Sequence, residues 1–179
     1  MPITLDESSE PSQGPSNQRS EEPFRPIFWP SWSLINDLSL ALGEALTSRW
    51  PMPEGIVAVS RGGLVPAAII ANRYNIRRVQ VACLGSYSAE DKRGRIYQLV
   101  EIPFLNGMGV QGGLGWWIID DIIDSGQTFT YLQTRWPGAV YGALYNKLQS
   151  AEAFTVNMPV CVKLIDKGTW VRFPWEPPS

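Results

Sequence analysis

One stretch constrains this chain more than any other. Four apolar residues, Trp116-Trp117-Ile118-Ile119, run straight into two carboxylates, Asp120 and Asp121. Ile122-Ile123 follow, then a third acid, Asp124, and then Ser125-Gly126-Gln127-Thr128. A short apolar run closed in this way predicts a buried strand over residues 116–119, ending at the acids. A helix is predicted from about Thr128 to Arg135. Backbone N–H groups at a helix start, a glycine for close approach and two hydroxyls make a cradle for phosphate. Carboxylates beside a phosphate repel it unless a cation or sugar hydroxyls come between. A magnesium-bound sugar phosphate supplies both. In open α/β sheets, ligands bind beyond the C-terminal ends of the strands, which is where this pattern puts the acids.

The rest of the chain agrees with such a sheet. Leu34, Ile35, Leu38, Ala41, Leu42, Ala45 and Leu46 recur at helical spacing, with Ser33 as the expected N-cap and Pro51 and Pro53 closing the helix. Residues 56–59 read as a buried strand, followed by the tight turn Ser60-Arg61-Gly62-Gly63. Residues 64–74 read as a helix that tolerates Pro66 in its first turn. Further strands are expected over 79–84, 96–102, 139–145 and 160–165, and a glycine-rich loop over 106–115. Strands alternating with helices predict an α/β domain with a mainly parallel sheet. Residues 1–26 are rich in Ser, Glu, Pro, Gln and Asn and bury too little to offset their ordering entropy. They read as a disordered tail, leaving 27–179 as the single domain.

The chain contains no histidine, so imidazole general bases and imidazole-ligated zinc are excluded. Proton transfer falls to Asp, Glu, Lys, Tyr or Cys. Cys83 and Cys161 sit in apolar runs and are expected to be buried free thiols. The pI near 5.2 argues against a bulk nucleic-acid binder. The tail carries a net −3 and the remainder about +1, which suits small anionic ligands. Without a basic start leading into an apolar stretch, and without an apolar run long enough to span a bilayer, a cytoplasmic chain with no membrane partner is expected.

The run Asp120–Thr128 resembles the phosphoribosyl pyrophosphate (PRPP) motif of type I phosphoribosyltransferases: apolar strand, two acids, two apolar residues, then Asp-Ser-Gly-x-Thr. Gln127 departs from it, standing where a glycine is usual. The segment Gly55-Ile-Val-Ala-Val-Ser-Arg-Gly-Gly-Leu-Val-Pro66 narrows the likeness to bacterial xanthine–guanine enzymes, over roughly residues 28–176. The resemblance implies a type I phosphoribosyltransferase fold: a mainly parallel central sheet flanked by helices, a small C-terminal hood and a flexible flap. It implies transfer of phosphoribose from PRPP to N9 of a 6-oxopurine in purine salvage, with Mg2+ as cofactor and a homo-oligomer, dimer or tetramer, as the assembly.

It also implies roles. Asp120 and Asp121 hold the ribose hydroxyls and the magnesium shell. Ser125, Gly126, Gln127 and Thr128 cradle the 5′-phosphate. Ser60, Arg61, Gly62 and Gly63 bind pyrophosphate, in a loop where the family often has a cis non-proline peptide. Ser86 and Tyr87 open the flap, in which Arg93 or Arg95 stands near pyrophosphate or in solvent. Asp124 is the catalytic base toward N7, a role that some burial would help. Lys147 donates to O6, Trp170 stacks on the base, and the Val171 backbone meets its edge. Arg172 stands where this family tends to have an acid. It disfavours an N2 amino group, favours xanthine, or points to solvent. A regulator of the same fold that binds RNA is the alternative outside enzymes, opposed by the acidic pI. A phosphoribosyltransferase for adenine, orotate or uracil is opposed by Lys147 and the Thr169-Trp170 segment.

Overall fold

A computed structural model describes residues 25–86, 96–99, 111–148, 154 and 158–177. In chain order these form β1 (Ile27–Phe28), α1 (Trp32–Thr47), β2 (Gly55–Ser60), α2 (Leu64–Arg73), β3 (Val79–Ser86), β4 (Ile96–Gln98), a 3-10 turn (Gln111–Gly113), β5 (Trp116–Ile123), α3 (Gln127–Arg135), β6 (Val140–Asn146), β7 (Val160–Leu164) and β8 (Trp170–Val171). Six strands make one sheet in the order β4-β3-β2-β5-β6-β7. All pairs are parallel except β3 with β4. This is the expected α/β architecture.

Strand alternation explains why β2 and β5 are apolar on both sides. Ile56, Ala58, Trp117 and Ile119 pack under α1 and α2 with Ile35, Leu42 and Ile70. Val57, Val59, Trp116 and Ile118 pack on the other face with Phe129, Leu132 and Trp136, the last just past the end of α3. A separate apolar cleft of about 400 Å³, lined by Trp50, Met52, Leu114 and Tyr141 among others, lies at the N-terminal ends of these strands. It contains none of the acids discussed below.

Several details differ from the sequence reading. The cap of α1 is Ser31, whose Oγ accepts from the Leu34 N–H at 3.1 Å, and Ser33 lies within the first turn. β5 does not stop at Ile119. It continues through both acids because β6 keeps pairing, Ile122 with Tyr145 and Ile123 with Asn146. β4 ends at Gln98, and the rest of the expected 96–102 strand lies outside the described residues apart from a bend at Leu99. Cys83 and Cys161 are free, as expected, but only part-buried. Burial still raises the Cys161 thiol above its usual range.

The hood joins β1 to β8. β1 and β8 pair in parallel, Ile27 with Trp170 and Phe28 with Val171. The Trp170 N–H donates to Pro26 O at 2.8 Å and the Arg172 N–H to Phe28 O at 2.9 Å. Pro26 therefore belongs to the fold, and the tail boundary expected at residue 26 moves toward the N-terminus. Phe28 and Val171 point inward, joining the cluster that holds Tyr145 and Phe173.

Candidate active site

The C-terminal ends of β2, β5 and β6 bring the predicted residues together. Because β5 continues through them, Asp120 and Asp121 face opposite ways. Asp120 lines a small hollow of about 80 Å³ with Asp124, Ser125, Gly126 and Thr128. Asp121 lines a larger cleft of about 430 Å³ with Arg61, Gly62, Trp175 and Glu176. The sequence placed both acids at one spot. The pleat instead turns one toward the start of α3 and one toward the loop after β2.

Both carboxyls are held above the ordinary range. Asp120 is 9% exposed, and burial followed by the charge of Asp121 raises it well above the usual value. Its Oδ1 accepts from the Asp121 N–H at 2.9 Å. Asp121 is raised to about 6, first by burial and in smaller part by Glu176. Two desolvated carboxyls on neighbouring residues resist ionising together.

The cradle follows from Gly126, which takes φ 77° at the start of α3. Only a residue without a Cβ does this at no steric cost. No side chain caps the helix, so its leading N–H groups are left for a ligand. Gln127 occupies the first helical position and is exposed, so its departure from the family pattern costs the cradle nothing sterically.

The loop after β2 presses against β5. A Cβ on Gly62 would run into the Asp121 carboxylate, and one on Gly63 into the carbonyls of Ile119 and Val59. The Ser60–Arg61 peptide is cis. Ser60 Oγ donates to Ala82 O at 3.3 Å and the Gly63 N–H to Val59 O at 2.8 Å. Of the four loop residues, Arg61 and Gly62 border the cleft, whereas the Gly63 N–H is already engaged.

On the far side stands Lys147, just past β6, only 6% exposed although it carries a charge. Its N–H donates to Ile123 O at 2.9 Å. Its Nζ lies 3.2 Å from Asp124 Oδ1 and 5.8 Å from the centre of the Trp170 ring. The Asp124 side chain is 61% exposed, so the burial that would help its role is not there. Trp170 is 48% exposed and presents an open face. β1 is held by the N–H groups of Trp170 and Arg172, so the backbone polar groups of Val171 point to the open edge of the hood. Ser86 ends β3 opposite Ile96. Tyr87, Arg93 and Arg95 lie outside the described residues. Glu176, facing Asp121 across the cleft, was missed by sequence reasoning. Its position depends on how the C-terminal segment folds back, and no local motif marks it.

Known structures share this frame. A purine phosphoribosyltransferase from Pyrococcus horikoshii matches with a TM-score of 0.65 at 21% identity, over 86% of this chain and 96% of that one. A xanthine–guanine–hypoxanthine phosphoribosyltransferase from Helicobacter pylori matches with a TM-score of 0.64 at 20% identity, over 84% and 94%. The fold is that of the type I phosphoribosyltransferases. In sequence, the xanthine-guanine phosphoribosyltransferase of Desulfotalea psychrophila is 32% identical over 149 residues, 83% of this chain and 86% of that protein. The chain belongs to the xanthine–guanine phosphoribosyltransferase family. No family model matches it.

Proposed function

We propose that the chain transfers the 5-phosphoribosyl group of PRPP to N9 of a 6-oxopurine, releasing pyrophosphate and a purine nucleoside monophosphate. The observation that carries the base assignment is the Lys147–Asp124 pair beside the open face of Trp170. Lys147 offers only donors and ionised Asp124 only acceptors. An oxopurine protonated at N7 presents the matching edge, with O6 accepting and N7–H donating. Trp170 stacks on the ring and the free backbone of Val171 meets the opposite edge.

The 5′-phosphate sits on the uncapped start of α3, between Ser125 and Thr128. Pyrophosphate occupies the cleft at Arg61 and Gly62. As N9 attacks the anomeric carbon, Asp124 takes the N7 proton, while donors around the cleft stabilise the departing charge.

The donor set suits magnesium. Asp121, in the cleft with Arg61 and Gly62, is a hard oxygen ligand, Asp120 faces the other hollow, and no group of three or more acidic, His or Cys side chains stands ready to cage a metal among the described residues. Magnesium keeps its waters and shares substrate phosphates under such conditions. When bound, it would neutralise the leaving pyrophosphate and lift the mutual repulsion of the two acids.

The reading is tested by incubating the protein with PRPP, Mg2+ and each of guanine, xanthine, hypoxanthine and adenine, and following nucleotide formation. Oxopurine nucleotides are expected. Product from adenine alone, or from none of the four, would refute it.

A further inference from the structure

From Tyr141 onward every residue of β6 is buried, and only the last of them, Asn146, carries an amide. Asn146 is 1% exposed. An amide taken out of water costs stability unless it is bonded. Its Oδ1 accepts from the Leu148 N–H at 2.8 Å. The residue spanned by that bond is Lys147.

The bond falls where the sheet stops. Asn146 O accepts from the Ile165 N–H at 3.0 Å, and the Lys147 N–H donates to Ile123 O at 2.9 Å. The neighbouring strands go no further, since β5 ends at Ile123 and β7 at Leu164. The next donor along the chain, the Leu148 N–H, is met by the Asn146 side chain, a local bond of the kind that shapes turns. It fixes the peptide between Lys147 and Leu148, and there the two side chains part. Leu148 packs against the cluster of Val57, Phe129 and Ala143. Lys147 runs to Asp124, with Nζ 3.2 Å from Oδ1. A lysine stem is long and flexible, so where its ammonium group lands depends on how its backbone is held. Asp124, 61% exposed, is a loose anchor by comparison.

We infer that Asn146 is a positioning residue for base choice: its side-chain carbonyl holds the turn from which Lys147 reaches the 6-oxo group. It acts without touching the base, and it lines neither the hollow at Asp120 nor the cleft at Asp121. The inference rests on the proposed base pocket and deepens it.

The test uses Asn146→Leu, which is close in size and cannot accept, and Asn146→Asp, which keeps an accepting oxygen whether charged or protonated. Circular dichroism checks folding, and Asn146→Ala takes the place of Asn146→Leu should that variant not fold. The ratio of kcat/KM for guanine to that for adenine is expected to fall about 3- to 10-fold in Asn146→Leu, the range for one hydrogen bond. The KM for guanine should rise and the KM for PRPP stay as it was. Asn146→Asp should keep the ratio within about twofold of the unmodified protein, because the acceptor remains. In a Lys147→Met background, adding Asn146→Leu should leave the ratio where it is, as for two residues acting through one contact. A merely structural role would lower the amount of folded protein or slow all bases alike, and would leave the ratio unmoved. An unchanged ratio in folded Asn146→Leu, or the same fall with Lys147 already gone, overturns the inference while leaving the oxopurine reading intact. If the unmodified protein itself shows no preference for guanine over adenine, the base pocket is misassigned and the inference falls with it.

Discussion

Nζ of Lys147 stands 3.2 Å from Oδ1 of Asp124, the lysine almost sealed from solvent and the aspartate side chain 61% exposed. The pair is unequal. Lys147 depends on Asp124 for the compensation of its charge, whereas Asp124 still has water. Asp124→Asn should therefore do two things. Turnover should drop ~10²–10⁴-fold through loss of the proton acceptor, with the KM for PRPP little changed. Thermal stability should also fall, because a buried cation loses its counter-charge. Adding Lys147→Met should restore the melting temperature but not turnover. A double variant no more stable than Asp124→Asn would show that the pair is not what holds Lys147 in place.

Base selectivity is expected to depend on Lys147. Against the amino group of adenine it faces a second donor, and both groups stay unpaired in a desolvated site. A site built around such a bond rejects the wrong partner by up to ~10⁴-fold. Measured kcat/KM values should show that Lys147→Met loses most of the preference for guanine and xanthine over adenine.

Asp121 gives a pH dependence of known sign. Its pKa rises from the ordinary 3.8 to about 6 on folding. The folded chain holds that proton longer than the unfolded chain does, so stability falls as pH climbs from about 4 to about 6 and stays reduced above that. Asp121→Asn removes the penalty. Without PRPP and metal, the variant should melt higher than the unmodified protein at pH 7.5, with the gap closing near pH 4. The same variant should lose PRPP-dependent turnover. Equal melting curves at both pH values would show that this carboxyl is not strained by burial.

Gly62→Ala is expected to strike PRPP use without touching the base pocket. The new methyl would collide with the Asp121 carboxylate and drive it from the cleft. Isothermal titration should show PRPP–magnesium binding weakened at least tenfold, while Lys147 and Trp170 keep their places. Unaltered PRPP affinity would mean that the cleft at Asp121 is not the pyrophosphate site.

Removing residues 1–24 should leave kcat/KM within a few-fold of the full chain. Extending the cut through Phe28 removes the carbonyl of Pro26 and all of β1, which hold Trp170 and Arg172. That longer deletion should raise the KM for the base sharply. Steady-state kinetics on the two truncations separates a dispensable segment from a structural one.

The site was legible wherever its information is local. Apolar residues running into Asp120-Asp121, and glycine before a helix at Gly126, write a strand, a turn and a helix start into consecutive positions. The division of labour between the two acids was not legible. It depends on whether β5 continues past Ile119, and the pairing of Ile122 and Ile123 with Tyr145 and Asn146 on β6 decides that. Lys147 could be placed after its strand, but its partner could not, because the pair joins two loops. Glu176 and the β1–β8 pairing were invisible for the same reason. Arg172 was visible as a residue out of pattern, and its stacking on Trp29 was not.

The pairing of Ile27 with Trp170 also sets an order of assembly during synthesis. As the chain leaves the ribosome, the loop after β2, the acids of β5 and the start of α3 are all present well before residue 170. The platform proposed for the base is not. β1 emerges first among the described strands and waits for β8 to close the hood. A nascent or prematurely ended chain would carry a place for the sugar phosphate and none for the acceptor. The joining of β1 to β8 thus makes the chain competent for transfer only once translation has passed the hood.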